Sequence, residues 1–101
     1  MEVKMTGEFE NWLLRLKDKH AKVRITSRVG RIACDGNLGD AKALGRGLSE
    51  LRIDCGPGYR LYFSSKEDRV MLLLIGGDKG SQKRDIMRAR RILACESRKG
   101  W

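Results

Sequence analysis

The chain has 101 residues, which allows one domain with a modest core and excludes two. Its 22 lysines and arginines against 13 acids give a formal net charge of +9 and a pI near 10.0, a field that attracts polyanions but leaves the fold open. Only 6% of residues are aromatic within a 41% hydrophobic share, so an aliphatic core is expected. Cys34, Cys55 and Cys95 are odd in number, widely spaced and without a C-x-x-C pair, and His20 is the sole histidine. Neither a zinc site nor a disulfide framework is expected from that set. There is no apolar amino-terminal region and no bilayer-length run. The expectation is a soluble, reduced, cytoplasmic protein with no metal, no cofactor and no membrane partner.

Glu2–Met5 reads as a short edge strand. From Glu8 to Lys17, Phe9, Trp12, Leu13 and Leu16 recur with the i, i+3, i+4, i+7 spacing of one apolar helix face. After the charged link Asp18–His20 a second helical pattern runs from Ala21 to Ala33. Ala21, Ile25, Val29 and Ile32 share one side of it, and Arg24, Arg28 and Arg31 line another. The short link predicts an antiparallel helical hairpin. The arginine stripe either touches phosphate or forms a solvated face, the commoner arrangement on amphipathic helices.

The breaker-rich loop Asp35–Asp40 ends the helical half. Ala41–Leu44 follows as a short strand, interrupted by Gly45, Arg46 and Gly47. In LSELRID, Leu51 and Ile53 alternate with Glu50, Arg52 and Asp54; in YRLYFSS, Tyr59, Leu61 and Phe63 face one way and Arg60, Tyr62 and Ser64 the other. The intervening CGPG, Cys55–Gly58, supplies the reversal of an antiparallel hairpin. Val70–Ile75 is continuously apolar, as a strand covered on both faces must be. Gly76 and Gly77 at its end let the backbone pass close to a neighbour, and Asp78 and Lys79 follow. Ser81 is the expected N-cap of a last helix with Ile86, Ala89 and Leu93 buried and Lys83, Arg84, Arg88, Arg90 and Arg91 around them. The order is strand, two helices, a mostly antiparallel sheet and a final helix: one α+β domain over residues 1–101, without linker or repeat.

No H-E-x-x-H, G-x-S-x-G, Walker A or dinucleotide motif occurs, and the pairs Gly45/Gly47 and Gly56/Gly58 read as turn glycines. What remains is cations on strands and loops, with Arg52, Arg60 and Lys79 placed where they could converge. Such groups suit RNA cleavage by the neighbouring 2′-hydroxyl, whose barrier is the build-up of negative charge at phosphorus. One preorganised donor aimed there is worth roughly 3–4 kcal/mol. Arginine brings a forked donor set and lysine a compact charge. Without a histidine pair, proton transfer falls to a carboxylate such as Glu50 or Asp78, to a lysine of lowered pKa, or to substrate geometry.

Longer motifs sharpen this reading. LxELRIDxGPGYRLYF followed by LLLxGGDKxSQxxDI, with FxxWLxxLKD at Phe9–Asp18, AKxRIxxR in the second helix and GNxGDxKxLGxGL at Gly36–Leu48, resembles the RelE/HigB-type toxins of bacterial toxin–antitoxin systems. These are the addiction module killer proteins of the RelE/ParE superfamily. The resemblance implies a RelE-like fold and a metal-independent endoribonuclease that cuts mRNA on the translating ribosome. It implies that Arg60, in GPGYR, holds and polarises the scissile phosphate. Lys79 stands where relatives place another catalytic arginine, and Arg52 matches a strand lysine of theirs. Lys42, Arg46, Asp78, Gln82 and Lys83 are the implied RNA-binding residues, and Glu50 is a candidate general base.

Two departures stand out. Glu50 occupies the place of a second basic residue, and Asp85 lies near the place of a tyrosine. This branch therefore uses a different proton-transfer group or cuts less efficiently, with Gln82 and Lys83 as candidates to take over part of that role, assisted by helix-end donors. The partners implied are mRNA on the ribosome and a cognate antitoxin of helix-turn-helix type; the oligomeric state is left open. Two other functions fit the same residues: a ParE-like, non-enzymatic gyrase poison, because fold does not fix function, and a non-catalytic basic nucleic-acid-binding module. Cleavage products separate these readings, whereas salt dependence is common to all RNA binders.

Overall fold

The computed structural model of the protein describes residues 1–101. Five strands, β1 (Glu2–Met5), β2 (Ala41–Gly45), β3 (Leu48–Ile53), β4 (Tyr59–Lys66) and β5 (Val70–Asp78), form one sheet in the order β1-β5-β4-β3-β2. Helices α1 (Gly7–Arg15) and α2 (Lys19–Asp35) follow β1, and α3 (Gln82–Arg98) closes the chain after a 3-10 turn at Lys79–Ser81. β1 runs parallel to β5 and the other three pairings are antiparallel. The α+β order read from the sequence holds, with β1 at the edge as expected and β5 inside the sheet.

Both faces are covered. Phe9 of α1 and Ala21, Ile25 and Ile32 of α2 pack on Leu51, Ile53, Leu61, Phe63, Met71 and Leu73. On the opposite face, Ala89 and Ile92 of α3 pack on Leu48, Tyr62, Leu72, Leu74 and Ile75. This second layer is why Tyr62 and Ser64 are buried although they alternate with the first core face.

Two sequence expectations are corrected. After the opening strand, α1 and α2 do not form the expected helical hairpin: α1 lies across β5 while α2 rests on β1. Thr6 anchors the first arrangement, its hydroxyl accepting from the Phe9 N–H at 3.0 Å and donating to the Leu74 carbonyl at 2.7 Å. Asp18 starts α2 by accepting from the Ala21 N–H, a side-chain cap that satisfies an orphan donor of the first turn. The second concerns Ser81, which takes the N-cap position of α3 as expected but makes no side-chain cap bond to the helix backbone. Asp78 caps the preceding 3-10 turn, its carboxylate accepting from the Gly80 and Ser81 N–H groups, and the buried stripe of α3 runs through Asp85, Ala89 and Ile92.

The end of β5 is re-aimed by a bulge. Tyr62 pairs with Ile75 but Phe63 with Leu73, so Leu74 is an extra residue and the face parity of everything beyond it is inverted. Gly76 therefore lies under the indole of Trp12, and Gly77 faces α3 beneath Asp85 and Ser81. A Cβ at either position would overlap these side chains. Gly76→Ala should lose about 1–3 kcal/mol of stability in urea denaturation, the range for overpacking a filled site. Gly30→Ala, on an open part of α2, should gain about 0.5–1 kcal/mol in the same measurement.

Candidate functional site

Strand register places the site. Ala41 pairs with Leu51 and Lys42 with Glu50, so the ladder continues to Asp40 opposite Arg52, and the Arg52 N–H donates to the Asp40 carbonyl at 2.9 Å. Arg52 pairs in turn with Arg60, and Arg60 with Gly77. Cross-strand partners share a face. Asp40, just before β2, thus forms one row on the α3 face with Arg52 of β3, Arg60 of β4 and Gly77 of β5. Lys79 stands just past the row, its N–H donating to the Gly58 carbonyl at 2.9 Å and tying the GPG turn to the end of β5. Gly58 takes a φ of +83°, a conformation open to glycine, in a turn closed by its N–H bond to the Cys55 carbonyl.

Directly opposed like charges destabilise a strand pair, and Glu50 resolves the conflict. Its carboxylate, fully buried, accepts from Arg52 Nε at 3.0 Å and from Gln82 Nε2 at 3.2 Å. Arg60 Nε lies 3.5 Å from the same oxygen as Arg52, close enough for ion pairing but not aligned for a hydrogen bond. The hydrogen bond to Glu50 holds the Arg52 proton more tightly than usual; burial opposes this, and the charges of Glu50 and Asp40 add to it. Only 15% of the Arg60 side chain is exposed against 41% of Arg52. Glu50, which the sequence suggested as a general base, is sealed beneath the arginines with both carboxylate oxygens already engaged by Arg52 and Gln82.

Arg52, Arg60 and Lys79 line one open groove of about 340 Å³ with Asp40, Asp54 and the GPG turn. The three cations singled out in the sequence are therefore brought together. The five residues expected to bind RNA are not. The Asp78 carboxylate caps the 3-10 turn, and the Gln82 amide points inward to Glu50. Lys83 is exposed on the first turn of α3 and Lys42 on β2. Arg46 lies at the other end of the strands, in a hollow of about 500 Å³ with Ser64, Lys66, Arg90 and Trp101. Asp40 and Asp54 were missed by sequence reasoning, although the register of the β2–β3 hairpin would have placed Asp40 beside Arg52.

Beneath the groove the polar layer continues. Asp85, buried, accepts from the Ser81 hydroxyl over Gly77. Burial foremost, then the charges of Glu50 and Asp85, push the Tyr62 phenol up to about 12, with Arg60 opposing. On the other face the Tyr59 hydroxyl donates to Asp18 at 3.3 Å, and its phenol is raised by burial first and by Asp18 next. Arg28 of the α2 stripe is a strap, donating to the carbonyls of Leu38 and Arg52. Arg24 and Arg31 line a neighbouring hollow of about 320 Å³ that shares Ile53 and Asp54 with the groove.

No protein-family model matches the chain. It is 43% identical over 96 residues to an uncharacterized protein of Haemophilus influenzae, covering 95% of each. The chain belongs to that protein's family. Its fold is RelE-like: it superposes on the crystal structure of the isolated E. coli RelE toxin with a TM-score of 0.61 over 86% of this chain and 96% of that one, at 11% identity. At that identity the likeness speaks for architecture. No helix is long and apolar enough to cross a membrane.

Two outcomes follow from the site. Glu50→Ala should remove about 2–3 kcal/mol of stability by urea denaturation, because it leaves Arg60 and Gln82 without their buried acceptor. Tyr62 should keep its proton in the folded protein until about pH 12. A phenol raised above its unfolded value favours the folded state below pH ~10 and loses that contribution as pH climbs toward 12. Ultraviolet titration should show less tyrosinate at pH 10 when folded than in urea, and stability should fall over that window less steeply in Tyr62→Phe.

Proposed function

We propose that the protein is the toxin of a type II toxin–antitoxin module, of RelE/HigB type, and arrests translation by cutting mRNA on the ribosome. The observation that carries this reading is the convergence of Arg52, Arg60 and Lys79 on one open groove, over a buried carboxylate that fixes the arginines. The RelE-like architecture supports it. In this reading Arg60, nearly enclosed beside Glu50, grips the scissile phosphate. Arg52, more exposed, binds a second phosphate oxygen, and Lys79 answers from the far wall. Preorganised charge of this kind stabilises the phosphorane-like transition state without reorganisation. The carboxylates in the groove favour catalysis over simple binding, since a site made only to hold phosphate gains nothing from Asp40 and Asp54. A net charge of +9 favours approach to a ribosome, and a producing cell would need a cognate antitoxin to hold such an enzyme in check.

Mapping mRNA 5′ ends shortly after induction tests the reading. New ends confined to translated regions are expected, with Arg60→Ala and Lys79→Ala each lowering their yield about 10²–10³-fold at unchanged protein level. Growth arrest with DNA damage and intact mRNA would replace this reading with that of a gyrase poison. Undiminished cleavage in the double variant would remove the site assignment.

A further inference from the structure

Cleavage by a 2′-hydroxyl needs a proton acceptor beside the attacking oxygen and a donor beside the leaving one, on opposite sides of phosphorus because the two oxygens lie in line. Carboxylates near the groove can be sorted by what they already hold. Glu50 is buried under two arginines, Asp78 caps the 3-10 turn, Asp85 is buried against Ser81, and Asp18 caps α2 and accepts from Tyr59. Asp40 and Asp54 alone line the groove with side chains that make neither hydrogen bond nor ion pair. Of these two, Asp54 also borders the hollow lined by Arg24 and Arg31, whereas Asp40 stands in the row, adjacent to Arg52 and electrostatically coupled to it.

The geometry points to Asp40 as the general base of this enzyme, an inference that rests on the ribonuclease reading above. Asp40 flanks the arginine pair on the β2 side and Lys79 on the β5 side. Neighbouring strands are about 4.8 Å apart, so the row from Asp40 to Gly77 spans roughly 14 Å at the backbone. That leaves room between inward-leaning side chains for a phosphate and its two ester oxygens. The Asp40 carboxylate takes the 2′-hydroxyl proton as the 2′-oxygen bonds to phosphorus. The bond from phosphorus to the 5′-oxygen breaks with its electron pair on oxygen, which takes a proton from the Lys79 ammonium. The products are a 2′,3′-cyclic phosphate and a 5′-hydroxyl, and solvent returns Asp40 and Lys79 to their starting forms.

The test is single-turnover cleavage of a short mRNA on programmed ribosomes, at a mapped bond. One substrate has the natural linkage and the other a bridging 5′-sulfur, which leaves without needing a proton. Asp40→Asn should slow both substrates about 10²–10⁴-fold. Lys79→Ala should slow the natural one and recover on the sulfur substrate. Asp68→Asn, the same charge change at the distant β4–β5 turn, should cut at the wild-type rate. Thermal melting of each variant checks folding, and since the Asp40 side chain makes no hydrogen bond, Asp40→Asn should melt with the wild type. Wild-type rates in Asp40→Asn, its rescue by sulfur, or a comparable loss in Asp54→Asn alone would each overturn the assignment while the ribonuclease reading stands. A wild-type protein that cuts neither substrate would overturn both.

Discussion

Two arginines facing each other across β3 and β4 are a liability unless something binds them, and the rest of the site depends on how Glu50 does so. One buried carboxylate carries Arg52, Arg60 and the amide of Gln82. The pairing is asymmetric. Arg60 is locked close to the sheet, while Arg52 keeps much of its guanidinium in solvent. A buried ion pair contributes little net stability after desolvation, and its best-attested use is to enforce one geometry. Here that geometry is a pair of cations held at strand spacing at the mouth of a groove. Because Gln82 opens α3, the same carboxylate also ties the helix to the sheet at the end where the groove lies.

A second constraint is the bulge in β5. One extra residue turns Gly77 toward α3 and Gly76 toward Trp12. Each glycine then removes a side chain where another element must come close: the indole on one face, the Asp85 carboxylate on the other. The pair GG at the end of an apolar strand is thus a packing device for two opposite layers, and its position immediately before Lys79 fixes where the strand gives way to the turn that carries the third cation.

How much of this was legible beforehand depends on the range of the signal. Alternation in residues 48–54 and 59–65 and the unbroken apolar run from Val70 are local, and they gave the strands and their faces. The hairpin between α1 and α2 was misjudged because a short link fixes only adjacency in sequence; Trp12 and Ile25 find better partners in the sheet than in each other. Glu50 was read as a candidate general base and not as a buried anchor because alternation cannot reveal that α3, more than thirty residues later, covers that face. The same blindness hid Asp85, whose burial is comprehensible only with a glycine beneath it. Arg52, Arg60 and Lys79 could be singled out because hairpin and turn motifs mark them individually, whereas placing Asp40 beside them needed register, a relation between two segments of chain.

The parallel pairing of β1 with β5 has a consequence for synthesis. Glu2 reaches its partner only at Val70, and the Thr6 hydroxyl finds its acceptor 68 residues downstream. Closing so large a loop must precede any gain from the contact, which slows folding and makes it late. Chains emerge amino-terminal end first, so the first strand and both early helices wait for the final third of the protein, and Lys79 of the groove and Gln82, which braces Glu50 beneath it, come later still. A nascent chain therefore carries most of its length as an unfinished sheet, and the groove comes together only when the last third of the protein has been made.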